Sequence, residues 1–267
     1  MTPSPLVATR PRSGPDLEAQ NITVQYGGHV AVDDVTVRAP AGQITGLIGP
    51  NGAGKTTFFN ACSGVVEPVR GAVSLGDSPL SGLTSAQRAQ RGLGRTFQRI
   101  ELFESMSVLD NIRLGVEARL AGRHAIRLLL SSRAERADIA ARADAAVSQC
   151  GISALAHLTV QDLSTGQRRL VELARAFATG FSFLLLDEPS SGLDVQETGR
   201  VSALLQEVVD QTGIGILIVE HDMALVREVC RYVYVLDFGK LIHAGPTGEV
   251  LASDSVRLAY LGADGAA

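Results

Sequence analysis

The stretch GPNGAGKT, from Gly49 to Thr56, has the residue types and the spacing of a phosphate-binding loop. Glycines allow a tight turn in which consecutive backbone N–H groups point at phosphate oxygens. In such a loop Lys55 would reach the β- and γ-phosphates of a nucleotide, and the hydroxyl of Thr56 would coordinate Mg²⁺. The pattern therefore predicts that the chain binds a nucleoside triphosphate. The alternative is a glycine-rich turn that contains a lysine by coincidence.

A second candidate site is the apolar run FLLLDEP at 183–189, which ends in two acidic residues. The carboxyl end of a parallel strand delivers side chains to the ligand crevice of an α/β protein. Asp187 would hold the water shell of Mg²⁺ there, and Glu188 would polarise the water that attacks the terminal phosphate. His221 follows another apolar run and is a weaker candidate for contact with the γ-phosphate. The alternative is that both runs simply end in polar turns.

The segment LSTGQ at 163–167 has no acid, base or metal ligand, yet it has features of an anion site. Ser164 and Gln167 fit a capping box at the start of a helix. Gly166 allows another group to approach the backbone closely, and the N-terminus of a helix attracts anions. A well-capped helix without a ligand is the alternative interpretation of the same residues.

The elements that must position these residues follow from hydrophobic periodicity. An alternating pattern from residue 17, with Gly-Gly at 27–28, predicts an antiparallel pair or meander. Apolar runs alternate with helical patterns after residue 163, which predicts a mostly parallel sheet covered by helices on both faces. A block of helical spacing, about 84–160, interrupts that alternation and is interpreted as an insertion. The predicted fold class is α/β: a P-loop NTPase core with an antiparallel β subdomain and a helical subdomain.

Bounds can be assigned to most of these elements. After residue 163 we predict helices at 167–179, 195–211 and 222–230, and strands at 182–187, 214–219, 232–237 and 240–244. The proline-rich start predicts a disordered tail over 1–16. The predicted domains are an ATPase domain over 17–262, its helical subdomain at about 98–180, and a short tail over 263–267.

The composition disfavours several classes of protein. The chain has 267 residues, 45% of them hydrophobic, and its net charge of −4 argues against a general nucleic-acid binder. Its longest apolar run, at 181–186, is far shorter than the roughly 20 residues that span a bilayer. Three widely separated cysteines, Cys62, Cys150 and Cys230, favour reduced thiols in a cytosolic protein.

Taken together, the motifs resemble the ATP-binding cassette of ABC transporters over about residues 17–262. LSTGQRR is similar to that family's signature motif, SSGLD at 190–194 to its D-loop, and IVEHD at 218–222 to its switch-histidine segment. Gln98 in RTFQR resembles the Q-loop glutamine. Tyr26 resembles the aromatic residue that stacks on adenine.

This resemblance implies an ABC nucleotide-binding domain that binds ATP and Mg²⁺ and hydrolyses ATP. The implied catalytic residues are Glu188, His221, Lys55 and Gln98. The implied nucleotide-binding residues are Tyr26, Gly49, Pro50, Asn51, Gly52, Ala53, Gly54, Lys55, Thr56 and Thr57. The implied metal site consists of Thr56, Gln98 and Asp187.

The resemblance also implies that the signature motif serves a second cassette. The residues Ser164, Thr165, Gly166 and Gln167 would close on the γ-phosphate bound to the P-loop of that partner. The result would be a head-to-tail dimer with two ATP molecules in its interface, and Asp194 would lie in the same interface. Thr165 departs from the family, which most often has glycine there, and its side chain is expected to weaken or retune closure.

The stretch GRTFQRIELFESMSVLDNI at 94–112 resembles the ATP-binding subunits of branched-chain amino-acid importers. The helical block at about 113–149 and the C-terminal GPTGEVLASDSVRLAYLG resemble the longer of the two ATPase subunits in that system. The resemblance implies a peripheral subunit on the cytoplasmic face of the cell (inner) membrane. Exposed apolar side chains at Ile100, Leu102 and Phe103 would receive a coupling helix of the permease.

The implied partners are transmembrane permease subunits, a second ABC ATPase subunit in a homodimer or heterodimer and, indirectly, a periplasmic or lipoprotein solute-binding protein. No nucleic-acid partner is expected. The closest alternative is the ATPase subunit of an exporter or lipid-extraction system, and the transported solute stays open. Another alternative is a soluble cassette protein that works on ribosomes or DNA. Such proteins usually carry two cassettes in one chain or a long coiled-coil insertion, and this sequence has neither. A P-loop kinase would need a site for its acceptor substrate. A GTPase would need the guanine-reading motif Asn-Lys-x-Asp, and this motif is not found in the sequence.

Overall fold

The computed structural model describes residues 14–96, 100–121, 132–253 and 256. Its strands are β1 (Leu17–Tyr26), β2 (His29–Ala39), β3 (Ile44–Ile48), β4 (Arg70–Leu75), β5 (Ser78–Pro79), β6 (Leu93–Arg95), β7 (Phe183–Asp187), β8 (Gly215–Val219), β9 (Tyr232–Asp237) and β10 (Lys240–Pro246). Its helices are α1 (Lys55–Ser63), α2 (Ser85–Gln90), α3 (Val108–Ala121), α4 (Arg133–Gln149), α5 (Thr165–Ala178), α6 (Val195–Thr212), α7 (Met223–Val229) and α8 (Thr247–Ala252). The elements predicted after residue 163 agree with these bounds to within two residues at each end.

The larger sheet has six strands in the order β10-β9-β3-β8-β7-β6. All neighbours are parallel except β9 and β10, so the predicted mostly parallel sheet is confirmed. Three adjacent strands, β3, β8 and β7, run in the same direction, and their carboxyl ends therefore meet at one edge. The glycine-rich loop follows β3, His221 follows β8, and the two acidic residues lie at the end of β7, so the topology brings the predicted chemistry together.

The smaller sheet has four strands in the order β2-β1-β4-β5 and is antiparallel throughout. Its first hairpin turns at 27–28, where the sequence predicts a Gly-Gly turn. The antiparallel β subdomain is thus confirmed.

The central strands β3, β7 and β8 are buried on both faces, which explains why β7 and β8 are almost entirely apolar runs. Side chains alternate along β7: Phe183 and Leu185 lie in one hydrophobic core with Phe58 of α1, whereas Leu184 lies in a second core with Val171 of α5. Burying one such side chain stabilises the fold by about 1.5–3 kcal/mol.

The predicted helical block is confirmed in part. Helices α3, α4 and α5 pack against one another, and the small Ala143 and Ala146 of α4 are fully buried. The same block contains a strand that the sequence does not predict. Strand β6 extends the parallel sheet beyond β7, and the N–H of Thr96 continues the pairing by donating to Leu185 at 2.9 Å. Three residues, Leu-Gly-Arg, are too short a run to show a period of two.

The predicted domain limits stay predictions, because 1–13 and 257–267 lie outside the described residues. Asp16, the last residue of the predicted N-terminal tail, is held in place: its carboxylate accepts hydrogen bonds from the N–H of Ala41 at 2.9 Å and from Arg38 at 2.9 Å. Within the described part of the chain, no helix has both the length and the apolar character to cross a membrane.

Candidate active site

The predicted phosphate loop joins β3 to α1, which is the strand–loop–helix arrangement that such a loop requires. At two positions of the loop the surrounding backbone leaves no room for a side chain. Gly49 has φ 150° and Gly54 has φ 96°, and a Cβ at these positions would lie 2.1 Å from the carbonyl oxygen of Leu236 and 2.5 Å from that of Ala31. Only glycine allows so close an approach.

The N-terminus of α1 is suited to an anion. Gly54 is the N-cap residue and supplies no side-chain hydrogen bond, which leaves the first N–H groups of the helix for a ligand. Around it Asn51, Gly52 and Thr56 are exposed, Pro50 and Thr57 are partly buried, and Ala53 is buried. The loop is therefore folded and still open to a phosphate chain.

The ammonium of Lys55 lies at the centre of this loop. Its Nζ donates to the carbonyl oxygens of Gly49 at 2.6 Å and Pro50 at 2.9 Å. Burial lowers the pKa of Lys55, and the nearby carboxylates of Glu188 and Asp187 act in the opposite direction. The loop lysine and both predicted acids are thus brought together, as the motifs predict.

Asp187 ends β7 and is almost fully buried, and it forms an ion pair that the sequence does not reveal. Its Oδ2 lies 3.1 Å from Nη2 of Arg95. Burial raises the pKa of the Asp187 carboxyl, whereas Arg95 opposes this rise. The N–H of Asp187 also faces the hydroxyl of Thr96 at 3.4 Å. Both Arg95 and Thr96 come from the unpredicted end of β6.

Glu188 follows Asp187 with φ 47°, a left-handed conformation that residues other than glycine rarely adopt. Its N–H donates to the carbonyl of Val219 at 2.9 Å, which helps to hold this turn. Strained backbone of this kind is concentrated at functional sites. The side chain is one-fifth exposed, and its Oε1 lies 3.9 Å from Nδ1 of His221, whose ring is mostly exposed. The two predicted groups are therefore neighbours at the rim of the site.

Glu220, which directly precedes His221, is a buried carboxylate that no sequence motif indicates as part of the site. One oxygen accepts from the N–H of Ser190 at 2.9 Å, and the other accepts from the N–H of His221 at 3.2 Å and of Asp222 at 3.4 Å. Burial raises its pKa, and these hydrogen bonds oppose the rise. Glu220 thereby connects the loop after Glu188 with the segment that holds His221. A glutamate at the end of an apolar run is the only sequence signal for it.

The signature-like segment begins α5. Ser164 is the N-cap: its Oγ accepts from the N–H of Gln167 at 3.2 Å, and Oε1 of Gln167 accepts from the N–H of Ser164 at 3.0 Å. The predicted capping box is therefore present. Thr165 is exposed and lies beside Gly192 of the D-loop-like segment. A Cβ added to Gly192 would be 3.5 Å from the methyl group of Thr165.

The D-loop-like segment leads into α6, and Asp194 caps that helix. Its Oδ1 accepts from the N–H of Glu197 at 2.8 Å, while Oε2 of Glu197 accepts from the N–H of Asp194 at 3.2 Å. Oε1 of Glu197 faces Gly166, where an added Cβ would be only 2.0 Å away. One carboxylate thus links the two segments within the chain, and the sequence spacing gives no sign of it.

Three further predictions concern the periphery of the site. Tyr26 ends β1 and is half-exposed, and β2, which pairs with β1, packs against the phosphate loop at Gly54. Gln98 lies outside the described residues. Of the apolar residues expected to be exposed, Phe103 is, whereas Ile100 and Leu102 are only partly exposed, and Leu102 packs against the core that contains Leu184.

The sequence of this chain is similar to those of known proteins. A family model described as "ABC transporter" matches residues 32–191. The branched-chain amino acid transport ATP-binding protein BraF of Pseudomonas aeruginosa is 32% identical over 252 residues, which cover 94% of this chain and 99% of BraF. LivG of Escherichia coli K12, of the same description, is 34% identical with the same coverage. The lipopolysaccharide export system ATP-binding protein LptB of Acidithiobacillus ferridurans is 36% identical and is covered over 96% of its length, against 92% of this chain.

Solved structures agree with these sequence comparisons. The ADP conformation of an ATP-binding cassette of an ABC transporter superposes with a TM-score of 0.81 at 27% identity, covering 93% of this chain and 99% of that one. A nucleotide-free cassette superposes with a TM-score of 0.80 at 26% identity, covering 92% and 98%. The two sheets and the helical block are thus the architecture of such cassettes.

Proposed function

We propose that this chain, an ATPase that belongs to the ABC transporter family, powers an importer of branched-chain amino acids or of a similar small polar solute. The observation that carries the proposal is the identity of 32% to BraF and 34% to LivG over nearly the full length of each protein. ATP is the fuel, and the closing and reopening of two cassettes moves the permease.

The nucleotide site is assigned to the loop between β3 and α1. The glycine-rich backbone and the first turn of α1 hold the phosphates, Lys55 contacts the β- and γ-phosphates, and Tyr26 stacks on adenine. The open first turn of α1 and the convergence of Lys55 with Asp187 and Glu188 support this assignment.

The same site fits Mg²⁺. This ion takes hard oxygen ligands, keeps several waters and binds through one or two carboxylates together with substrate phosphates. Thr56 supplies a hydroxyl, Asp187 supplies a carboxylate, and Gln98, which lies outside the described residues, is the third proposed ligand. In the described part of the chain no cluster of three or more His, Cys, Asp or Glu side chains forms a cage for a metal. Bound there, Mg²⁺ would neutralise charge on the β- and γ-phosphates.

Hydrolysis is assigned to the residues at the rim. Glu188 accepts a proton from water as the water oxygen bonds to the γ-phosphorus. The bond between that phosphorus and the bridging oxygen breaks, so that ADP and inorganic phosphate leave. His221 and Lys55 steady the transferred phosphoryl group. The distance of 3.9 Å between Glu188 and His221 supports a shared role.

A second cassette completes the site. The N-terminus of α5, with Ser164, Thr165, Gly166 and Gln167, caps the γ-phosphate on the partner's P-loop, and Asp194 contacts the partner. The partner is a second copy of this chain or a shorter sister ATPase. ATP stabilises the closed dimer because it binds that state better than the open one.

We place the complex on the cytoplasmic face of the inner membrane. Transmembrane permease subunits bind near the exposed Phe103, and a periplasmic or lipoprotein solute-binding protein delivers the solute. The second candidate function is export or lipid extraction, which the identity of 36% to LptB favours. The same cassette would serve either direction.

Transport by the assembled complex tests the proposal. The chain is purified with its membrane subunits and reconstituted in vesicles with the cassettes and ATP inside. The solute-binding protein is added outside, and uptake of labelled leucine and a panel of small polar solutes is assayed. A matched complex with Glu188→Gln shows what is driven by ATP. ATP-dependent accumulation of leucine or of another small solute is expected. Extraction of lipid without solute uptake would support the second candidate instead.

A further inference from the structure

Arg95, at the end of β6, is the side chain that joins the acidic strand end to the phosphate-loop helix. Its Nη2 pairs with Oδ2 of Asp187 at 3.1 Å. Its Nη1 donates to Oδ1 of Asn60 and to Oγ of Ser63, both at 2.7 Å. The guanidinium also lies 5.6 Å from the centroid of the Phe59 ring. Asn60, Ser63 and Phe59 all belong to α1.

These contacts are buried and directional. The side chains of Arg95 and Asp187 are 10% and 5% exposed, so water competes little for their charges. A planar guanidinium presents its donors in a fixed fork, and here each terminal nitrogen faces a different element. Among the described residues, the carboxylate of Asp187 accepts one hydrogen bond, from Nη2 of Arg95 to Oδ2. The orientation of this carboxylate is therefore set from one side.

We propose that Arg95 is a positioning residue for the metal: it holds Oδ2 of Asp187 and ties it to α1, so that Oδ1 is presented to the metal water shell beside Thr56. The inference rests on the Mg²⁺ site assigned above. Arg95 itself does not touch the metal or the nucleotide. It fixes the distance between the two elements that supply the ligands, because α1 carries Thr56 and β7 carries Asp187.

Lysine cannot replace this arginine. A single ammonium keeps the positive charge but cannot reach Asp187, Asn60 and Ser63 with the fixed geometry of a fork. Arg95→Lys therefore keeps the positive charge beside Asp187 and removes the hydrogen bonds that position its carboxylate. A residue that hydrogen-bonds a metal-binding carboxylate typically changes metal affinity by about 10–100-fold when it is replaced.

The test measures metal affinity directly. The full chain is saturated with a non-hydrolysable ATP analogue and titrated with Mn²⁺, a probe ion that binds oxygen ligands. Electron paramagnetic resonance measures the concentration of unbound Mn²⁺. Arg95→Lys should raise the dissociation constant for Mn²⁺ about ten-fold or more. Its affinity for the analogue in EDTA should be that of the wild type. An unchanged Mn²⁺ constant in the folded variant overturns the proposal.

Arg88→Lys is the matched control. Arg88 is also a buried arginine that braces α1, since its Nη1 donates to the carbonyls of Ala61 at 2.8 Å and Cys62 at 2.7 Å. It does not contact Asp187. If this variant weakens Mn²⁺ binding as much as Arg95→Lys does, the effect is a general loosening of α1 and the inference fails.

Two further variants complete the design. Asp187→Asn should weaken Mn²⁺ binding by itself. If it does not, the assigned metal site is wrong. If Asp187→Asn weakens Mn²⁺ binding and Arg95→Lys does not, the metal site stands and only the role of Arg95 is ruled out. Should Arg95→Lys not fold, Ser63→Ala takes its place, because it removes one anchor of Nη1 and leaves the ion pair. A smaller weakening of Mn²⁺ binding is then expected, and none at all counts against the proposal.

Discussion

The carboxylate of Glu197 packs directly on Gly166, so that a Cβ added to this glycine would lie 2.0 Å from Oε1. The other oxygen of Glu197 accepts from the N–H of Asp194 at 3.2 Å. The start of α5 and the start of α6 therefore share one side chain. The two segments proposed to meet a partner cassette are held in a fixed relation before any partner binds.

This contact predicts different effects of alanine at two helical glycines. Gly166→Ala pushes the Glu197 carboxylate away and breaks its half of the capping box, a loss of about 1 kcal/mol that offsets the gain in helix propensity, so the free energy of unfolding should change little. Gly199→Ala in α6 has nothing within 4 Å of the new Cβ and should raise it by about 0.5–1 kcal/mol, since alanine favours a helix over glycine. Urea unfolding of the purified chains measures both.

Glu197→Ala provides the control for that comparison. In this background Gly166→Ala has no carboxylate to displace, and it should stabilise the chain about as much as Gly199→Ala does. A Gly166→Ala variant as stable as Gly199→Ala would contradict the contact.

Lys55→Ala should weaken nucleotide binding by about ten-fold or more, because a hydrogen bond from a charged group to a phosphate is lost. Titration with a fluorescent ADP measures the affinity. Lys240→Ala is the control: this lysine is mostly exposed and lies 3.4 Å from Asp33. An unchanged affinity in Lys55→Ala would remove this lysine from the phosphate site.

The sequence predicts those parts of the site that depend on local pattern. The glycine-rich loop, the acids at the end of β7 and the capping box at Ser164 are all contiguous signals, and the structure has each of them where the pattern places it. Parallel strand order then brings the first two together without further information.

What escapes prediction depends on contacts between distant segments. Arg95 pairs with a carboxylate 92 residues away in the sequence, from a strand too short to be recognised. Glu220 is linked to Ser190 across 30 residues, and its position inside the fold follows from the pairing of β7 with β8. The family resemblance implies an exposed Leu102 at the permease surface, and no periodicity in this stretch reveals that its side chain packs against the core.

Glu188→Gln should bind nucleotide with little change and lose turnover by about 10²–10⁴-fold, because an amide cannot accept the proton of the attacking water. The closed dimer should accumulate, since ATP remains in the interface. Size-exclusion chromatography with ATP measures the dimer, and release of phosphate measures turnover. Glu228→Gln, on the exposed surface of α7, should retain both properties of the wild type. Normal hydrolysis by Glu188→Gln would rule out Glu188 as the base.

Glu220 predicts a dependence of stability on pH. Burial raises the pKa of its carboxyl above the ordinary value of 4.5. Between 4.5 and the raised pKa, the unfolded chain has released this proton while the folded chain still holds it. The unfolded state therefore binds fewer protons, and the free energy of unfolding falls as the pH rises through this window, by up to 1.36 kcal/mol per unit.

Glu220→Gln isolates this effect, because glutamine does not titrate and the other groups titrate alike in both chains. The free energy of unfolding of the wild type minus that of Glu220→Gln should decrease as the pH rises above 4.5 and become constant above the raised pKa. Urea unfolding of both chains at a series of pH values gives the difference. A constant difference, or one that grows with pH, would mean that the hydrogen bonds from Ser190, His221 and Asp222 outweigh burial and keep this carboxylate ionised.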